Sequence, residues 1–294
     1  MIGNEKELRL SFLLFRSRSG STFFGDRLSR HPEVLVAPET NTVPRIYRYF
    51  KKDIIIKNNK NYRNIAKILL SDKKTKYWNI SEEQLTEKLS KNKITNWESA
   101  LFCLCQIYRD NVKPEAKVIV IKKSGWYYKN IDILLKTFHN SISMWVIRDP
   151  RAVYNSASHA IHSTRKKPME KNVVKNALGW REFIKLFNKA SIKWTGRVIS
   201  VRYETLIAQT SEILKKVWHN LDVKTISDYE IEKILVEKKK SHLITPETTH
   251  LHKNVYYQTL TEPLEKWKRT LPNWKKSVIQ FICRKGMQQF DYKS

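Results

Sequence analysis

The chain opens on a short, unbroken apolar run, Leu8-Arg9-Leu10-Ser11-Phe12-Leu13-Leu14-Phe15. A run of this length without apolar–polar alternation predicts a strand buried on both faces. The polar segment Arg16-Ser17-Arg18-Ser19-Gly20-Ser21-Thr22 follows and leads into a helical pattern over 23–30, which His31-Pro32 terminates. Val34-Leu35-Val36-Ala37 reads as the next strand, so the opening is a βαβ unit. Further strand patterns occupy 117–122, 142–147 and 197–203, with helices over about 126–139, from about Pro150, and over about 171–193. Proline is pre-organised for a first helical turn, which makes Pro150 a start signal. Residues 41–111 read mostly as helix, and 51–76 sets nine basic residues against Asp53 and Asp72, which predicts an exposed basic insertion. The remainder reads as helices around a polar loop near 241–258.

Strands alternating with helices predict α/β architecture: a single domain over 1–294 with a central parallel sheet of about five strands flanked by helices. Ligands of such sheets bind outside the carboxyl ends of the strands. Three of the five expected strands end in cationic or hydroxyl clusters, at Arg16–Thr22, Lys122–Ser124 and Arg148–Ser156.

Composition narrows the picture. The 294 residues are 41% apolar with nine tryptophans, enough for a real core, and disorder is excluded. The formal charge of +28 attracts polyanions such as nucleic acid, lipid headgroups or phosphorylated ligands, but a solvated lysine face has the same composition, so charge alone assigns nothing. No run of 18 apolar residues occurs, so no membrane span is expected, and the polar Met1–Glu7 predicts no secretory leader. Cys103, Cys105 and Cys283 form no CxxC pair, the inventory of a reduced, cytoplasmic protein without a disulfide or zinc framework. The pairs His159/His162 and His250/His252 lack a third ligand at diagnostic spacing, so no metal is expected.

The loop at 16–22 has the makings of an anion site. One glycine lets the backbone turn, Ser21 and Thr22 open a helix whose first amides are free, and Arg16 or Arg18 adds charge. It lacks GxxxxGK[ST], which disfavours a nucleoside-triphosphate kinase, and an ordinary Ser-capped helix is the plain alternative. In the second cluster a guanidinium at the strand end, Arg148, and the hydroxyl of Ser156 two turns into the next helix suit a separate phosphate. The plain reading there makes Asp149 an N-cap and Arg151 a surface residue.

These residues carry a resemblance. Arg18-Ser19-Gly20-Ser21-Thr22 after a strand resembles the 5′-phosphosulfate loop of the sulfotransferases, and Arg148-Asp149-Pro150-Arg151-Ala152-Val153 with Ser156 is similar to their 3′-phosphate motif. Val201-Arg202-Tyr203-Glu204-Thr205-Leu206 resembles a third landmark, and Trp267-Lys268-Arg269, Cys283 and Phe290-Asp291-Tyr292 are similar to the tail of carbohydrate and bacterial members. The segment 31–45 is similar to the tyrosylprotein branch, from which Asn41 departs by replacing an arginine. The resemblance implies a P-loop-like sulfotransferase fold and a donor, 3′-phosphoadenosine 5′-phosphosulfate (PAPS), used without a metal. It implies that Arg18, Ser19, Gly20, Ser21 and Thr22 hold the 5′-phosphate end, that Arg148 and Ser156 hold the 3′-phosphate, and that Tyr203 supports the nucleotide. Glu39 takes the place of the general base, Lys123 (with Lys122 as the alternative) faces the transferring group, and Lys253 lies where a lid closes. The implied acceptor is a small molecule or natural product bearing a hydroxyl or amine, with a glycan or lipid-linked sugar as the alternative. A basic nucleic-acid-binding protein is the reading from another class, disfavoured because it gives Arg148 and Ser156 no reason for their spacing.

Overall fold

A computed structural model describes residues 8–52, 56, 58–161, 167–237, 241–244, 246, 249 and 262–293. Its strands are β1 (Arg9–Phe15), β2 (Val34–Ala37), β3 (Val118–Lys123), β4 (Ser143–Ile147) and β5 (Val198–Arg202). They form one sheet in the order β2-β3-β1-β4-β5 with every neighbouring pair parallel. Helix α1 (Ser21–Leu28) carries the chain from β1 to β2. Helices α2 (Thr42–Phe50), α3 (Asn59–Leu70), α4 (Glu82–Lys91) and α5 (Trp97–Val112) fill the connection to β3. Helices α6 (Trp126–Lys129) and α7 (Ile131–Thr137) lead to β4, and α8 (Pro150–His159) and α9 (Val173–Lys193) lead to β5. The chain then continues through α10 (Tyr203–Ala208), α11 (Thr210–Asn220), α12 (Asp228–Val236), α13 (Glu262–Thr270) and α14 (Asn273–Gln289). This is the five-stranded parallel α/β domain expected from the sequence. Its order makes β3, β1 and β4 neighbours, so the three clusters at strand ends become one region at the switch point of the sheet.

The unbroken apolar runs follow from burial on both sides. Phe12 and Leu14, Ile119 and Ile121, and Trp145 and Ile147 enter one core, while Leu13 and Phe15, Val118 and Val120, and Met144 and Val146 enter the other. Helices α2–α9, α13 and α14 cover the first face, and α1 and α10–α12 the second. Among the described residues no helix is long and apolar enough to cross a membrane.

Two local expectations need correction. The segment 51–76 is not a wholly exposed insertion: Ile65, Ala66 and Leu69 of α3 are buried in the first core, while Lys60, Arg63 and Lys73 face solvent. Its lysines dominate its composition, and its apolar residues at helical spacing are what pack. The helix expected over 126–139 divides at Asn130, whose backbone (φ −119°, ψ 30°) leaves the helical region while its amide (2.9 Å) and its Nδ2 (2.8 Å) both donate to the Trp126 carbonyl.

Helix α14 rests on α9 through a glycine. A Cβ at Gly286 would stand 2.7 Å from Cζ3 of Trp180, which is fully buried and has no room to yield. Gly286→Ala is therefore expected to lower unfolding stability by about 1–3 kcal/mol, as overpacking does. Urea unfolding of the two proteins measures this, and an unchanged midpoint would show that the helices part without cost.

Candidate active site

The loop after β1 is a tight turn closed on Arg16, whose carbonyl accepts from both the amide (3.1 Å) and the hydroxyl (2.7 Å) of Ser19. Two residues of the loop take left-handed backbone, Arg18 at φ 73° and Gly20 at φ 87°. For Arg18 this conformation costs of order 1 kcal/mol, a strain that persists only where surrounding contacts impose it. Gly20 is the N-cap of α1 and contributes no side-chain cap, so the plain reading of a Ser-capped helix does not hold. The first helical bond is Phe24 N–H to the Gly20 carbonyl at 3.1 Å, which leaves the amides of Ser21, Thr22 and Phe23 at the positive end of the helix. Tyr203, the first residue of α10, lays its ring on Gly20 so closely that a Cβ there would fall within it.

The second cluster meets the first at this ring. The Arg148 guanidinium lies over Tyr203, 4.7 Å from its centroid, and donates through Nη1 to the Arg18 carbonyl at 2.9 Å. Arg18 in turn donates through Nε to Ser156 Oγ at 3.0 Å. Burial, with Arg148 second, pushes Arg18 below its ordinary arginine pKa, while Tyr203 counteracts it. Two guanidiniums, groups of like charge, are thus held together in a partly buried place. An anion relieves that repulsion.

The helix bearing Ser156 is firmly anchored. Asp149 caps α8 by accepting from the Arg151 amide at 2.8 Å, as its alternative reading expected. Arg151 is not a surface residue: it is buried, forked onto the Asp149 carboxylate, stacked 4.1 Å over Trp267, and bonded to the Lys293 carbonyl at 2.7 Å. Glu204 accepts from the Asp149 amide at 3.0 Å and from the Tyr292 hydroxyl at 2.9 Å, which joins α8, α10 and the C-terminal tail. Burial holds the Glu204 carboxyl above its ordinary pKa, against the hydrogen bonds and Arg148. Sequence reasoning quoted Glu204 and Tyr292 within family-like segments but assigned them no task. The pairing of a buried acid with a tail tyrosine has no spacing signature.

At the end of β3 the strand period separates the two lysines. Lys122 follows Val118 and Val120 onto the face of α1, where its Nζ donates to Thr22 Oγ1 at 3.1 Å and to Glu39 Oε1 at 2.6 Å. Lys123 emerges on the opposite side, its Nζ 3.7 Å from Glu39 Oε2. The geometry therefore brings Lys122, rather than Lys123, into contact with the phosphate-loop helix. Burial opposes ionisation of Glu39, but Lys122, Lys123 and Lys74 together outweigh it and hold the carboxyl at about 2. Burial lowers the Lys122 pKa in turn, offset by Glu39. Lys74 was not singled out from the sequence. It reaches the site because Asp72 accepts from the amides of Lys74 (2.9 Å) and Asn41 (3.0 Å) and so ties its segment to the loop after β2.

Gly20, Arg18, Arg148, Ser156 and Tyr203 thus lie in one place, and Thr22, Lys122, Glu39 and Lys123 adjoin it through α1. Ser19 and Ser21 are buried within the same loop. Lys253 lies outside the described residues. Cations, a helix N-terminus and hydroxyls thus converge at the carboxyl ends of a parallel sheet, an arrangement suited to an anion, with a carboxylate set beside it.

A model of the sulfotransferase family matches residues 12–228, and the chain belongs to this family. It is accordingly an enzyme of the sulfotransferase class. A search of curated protein sequences finds no match. Among solved structures the chain is similar to the sulfotransferase domain of the Synechococcus PCC 7002 olefin synthase, at 18% identity and a TM-score of 0.62, covering 100% of this chain and 98% of that one. It is similar to the sulfotransferase domain of the curacin biosynthetic pathway at 17% identity and a TM-score of 0.62, covering 98% of each chain. Mouse sulfotransferase SULT7A1, solved in complex with PAP, is similar at 12% identity and a TM-score of 0.54, covering 98% of this chain and 86% of that one. At these identities the structures share the fold.

The depressed carboxyl of Glu39 has a consequence for stability. Its pKa of about 2 in the folded chain lies below the ordinary 4.5, so its stabilising contribution is complete above about pH 4.5 and disappears as the pH falls toward 2. Thermal melting of wild type and Glu39→Gln should show a gap at neutral pH that closes across this window. A gap constant down to pH 2 would contradict the assignment.

Proposed function

We propose that the protein moves the sulfuryl group of PAPS onto a hydroxyl or amine of a small-molecule acceptor. The observation that carries this reading is the convergence of Arg18, Arg148 and Ser156 beside the N-terminus of α1, on adjoining strands. A donor with phosphate groups at both ends of its ribose supplies two anions, and this site offers two sets of partners. The amides and hydroxyls of Ser19 to Thr22 take the 5′-phosphosulfate end with Arg18, while Arg148 and Ser156 take the 3′-phosphate. Tyr203 sits beneath them as a platform. Three buried free thiols suit a reducing, cytoplasmic compartment.

In the reaction the acceptor oxygen or nitrogen attacks sulfur in line. The sulfur bond to the bridging oxygen breaks, and its electron pair leaves with 3′-phosphoadenosine 5′-phosphate (PAP). Positive groups preorganised around the bridging oxygen stabilise the charge it gains, the role assigned to Arg18 and Lys122, with Lys123 behind them. Glu39 accepts the acceptor's proton. At a pKa of about 2 this carboxylate is a weak base, but the cation that depresses it most, Lys122, also bonds Thr22 in the donor loop. An anionic sulfonate next to Thr22 competes with Glu39 for that ammonium. Donor binding thereby raises the basicity of Glu39, so the base strengthens only when there is a group to transfer.

Calorimetry tests the donor reading. PAP should bind at least tenfold more tightly than AMP, and Arg148→Ala should erase that difference, since a hydrogen bond to a charged group contributes about 1.5–3 kcal/mol. Equal affinity for the two nucleotides would remove the second phosphate site. The base is tested by Glu39→Gln, which should retain PAP binding while turnover with labelled PAPS and a screened acceptor falls about 10²–10⁴-fold. Undiminished turnover would take Glu39 out of the mechanism.

A further inference from the structure

Helix α14 carries a surface that the site does not use. Its inner face is fixed by Ile279, Cys283 and Met287, which are buried in the core it shares with α9. Its outer face exposes two large aromatic residues, Phe281 at 86% and Trp274 at 61%. They stand seven positions apart, so one stripe of the helix carries both. Arg284 and Lys285 accompany them, while the half-buried Lys275 and Lys276 turn back onto the protein, Lys275 Nζ over the Tyr154 ring at 5.5 Å and Lys276 Nζ donating to the Lys268 carbonyl at 2.7 Å; no acidic residue occurs between Asn273 and Gln289. Arg284 and Lys285 are themselves exposed. Helix α9 runs alongside in the same direction, paired through Ala177 with Cys283 and Asn188 with Gln289, and it exposes Ile192 at 81%.

We infer that the outer face of α14 docks the protein onto an anionic lipid surface. Charge complementarity selects this occupant. A helix face with two exposed cations, Arg284 and Lys285, and no carboxylate is drawn to a negative leaflet, and Trp274 and Phe281 on the same side enter the headgroup boundary, where aromatic rings are favoured. A second copy of the chain would bring two such cationic faces together and meet repulsion. Stacking on single-stranded nucleic acid calls for rings lining a cationic groove, whereas these stand on the outer side of a helix and present themselves to a plane. The surface does not include the residues assigned to donor or acceptor, so the inference stands apart from the proposed reaction.

Cosedimentation of the full chain with phosphatidylglycerol–phosphatidylcholine vesicles, set against pure phosphatidylcholine vesicles, is the test. Partition onto the anionic vesicles should be at least tenfold stronger and should weaken as salt is raised. Each basic residue at such a surface contributes about a five-fold factor, so Arg284→Glu with Lys285→Glu should lower partition more than tenfold. Trp274→Ser with Phe281→Ser should lower it by about tenfold while the melting temperature and PAP binding stay those of wild type. Equal partition onto both vesicle types, or variants that bind as wild type does, would overturn the inference. So would a dimer in light scattering that Phe281→Ser dissolves, or an oligonucleotide bound more tightly than the vesicles through the same residues.

Discussion

The contact on which the site depends is the ring of Tyr203, set against the backbone of Gly20 and beneath the guanidinium of Arg148. Each partner answers a separate requirement. Gly20 has no side chain, so the ring approaches the loop at the point where the backbone must also turn left-handed to launch α1. Arg148 directly follows β4 and gains cation–π attraction of about 0.5–2 kcal/mol from the same ring. One aromatic residue from the end of β5 thus ties together the loop after β1 and the helix after β4, which adjacent strands already bring close. Beyond the ring, Glu204 fastens α8 to Tyr292 and Arg151 fastens it to Trp267 and Lys293, so the C-terminal tail braces the same helix.

A second coupling runs through Lys122. A buried ammonium shared between Thr22 and Glu39 joins the phosphate loop to the carboxylate proposed as base, and neither partner can change its charge environment without the other responding. Buried charges are stable only when paired, which is why this lysine is held so firmly. On the proposed reaction, that pairing makes acceptor activation conditional on a loaded donor.

Much of this was readable in the sequence, for identifiable reasons. The strands were visible because both faces of the sheet are covered, which leaves apolar runs without alternation at Phe12–Phe15 and Val118–Ile121. The clusters at strand ends were visible because the chain must return to the same edge of the sheet after each crossover. The contacts that depend on tertiary closure were not. Arg151 looks like any charged residue in a first helical turn until Asp149, Trp267 and the carbonyl of Lys293 surround it. Ser19 and Ser21 look like caps, but the left-handed Gly20 takes that position. Lys74 arrives through Asp72 and Asn41, a clamp without a motif. Which of Lys122 and Lys123 turns toward α1 was open to a simple rule: side chains alternate across a strand, and Lys122 shares the parity of Val120 on the α1 side.

The central claim is the proposal that one site grips two phosphates of a single nucleotide through motifs that follow different strands. A crystal structure of the protein with PAP bound tests it directly. The account predicts the 5′-phosphate on the amides of Ser21 and Thr22 and the 3′-phosphate touching both Arg148 and Ser156. A nucleotide bound with Arg148 and Ser156 uncontacted, or with either phosphate pointing into solvent, would contradict it.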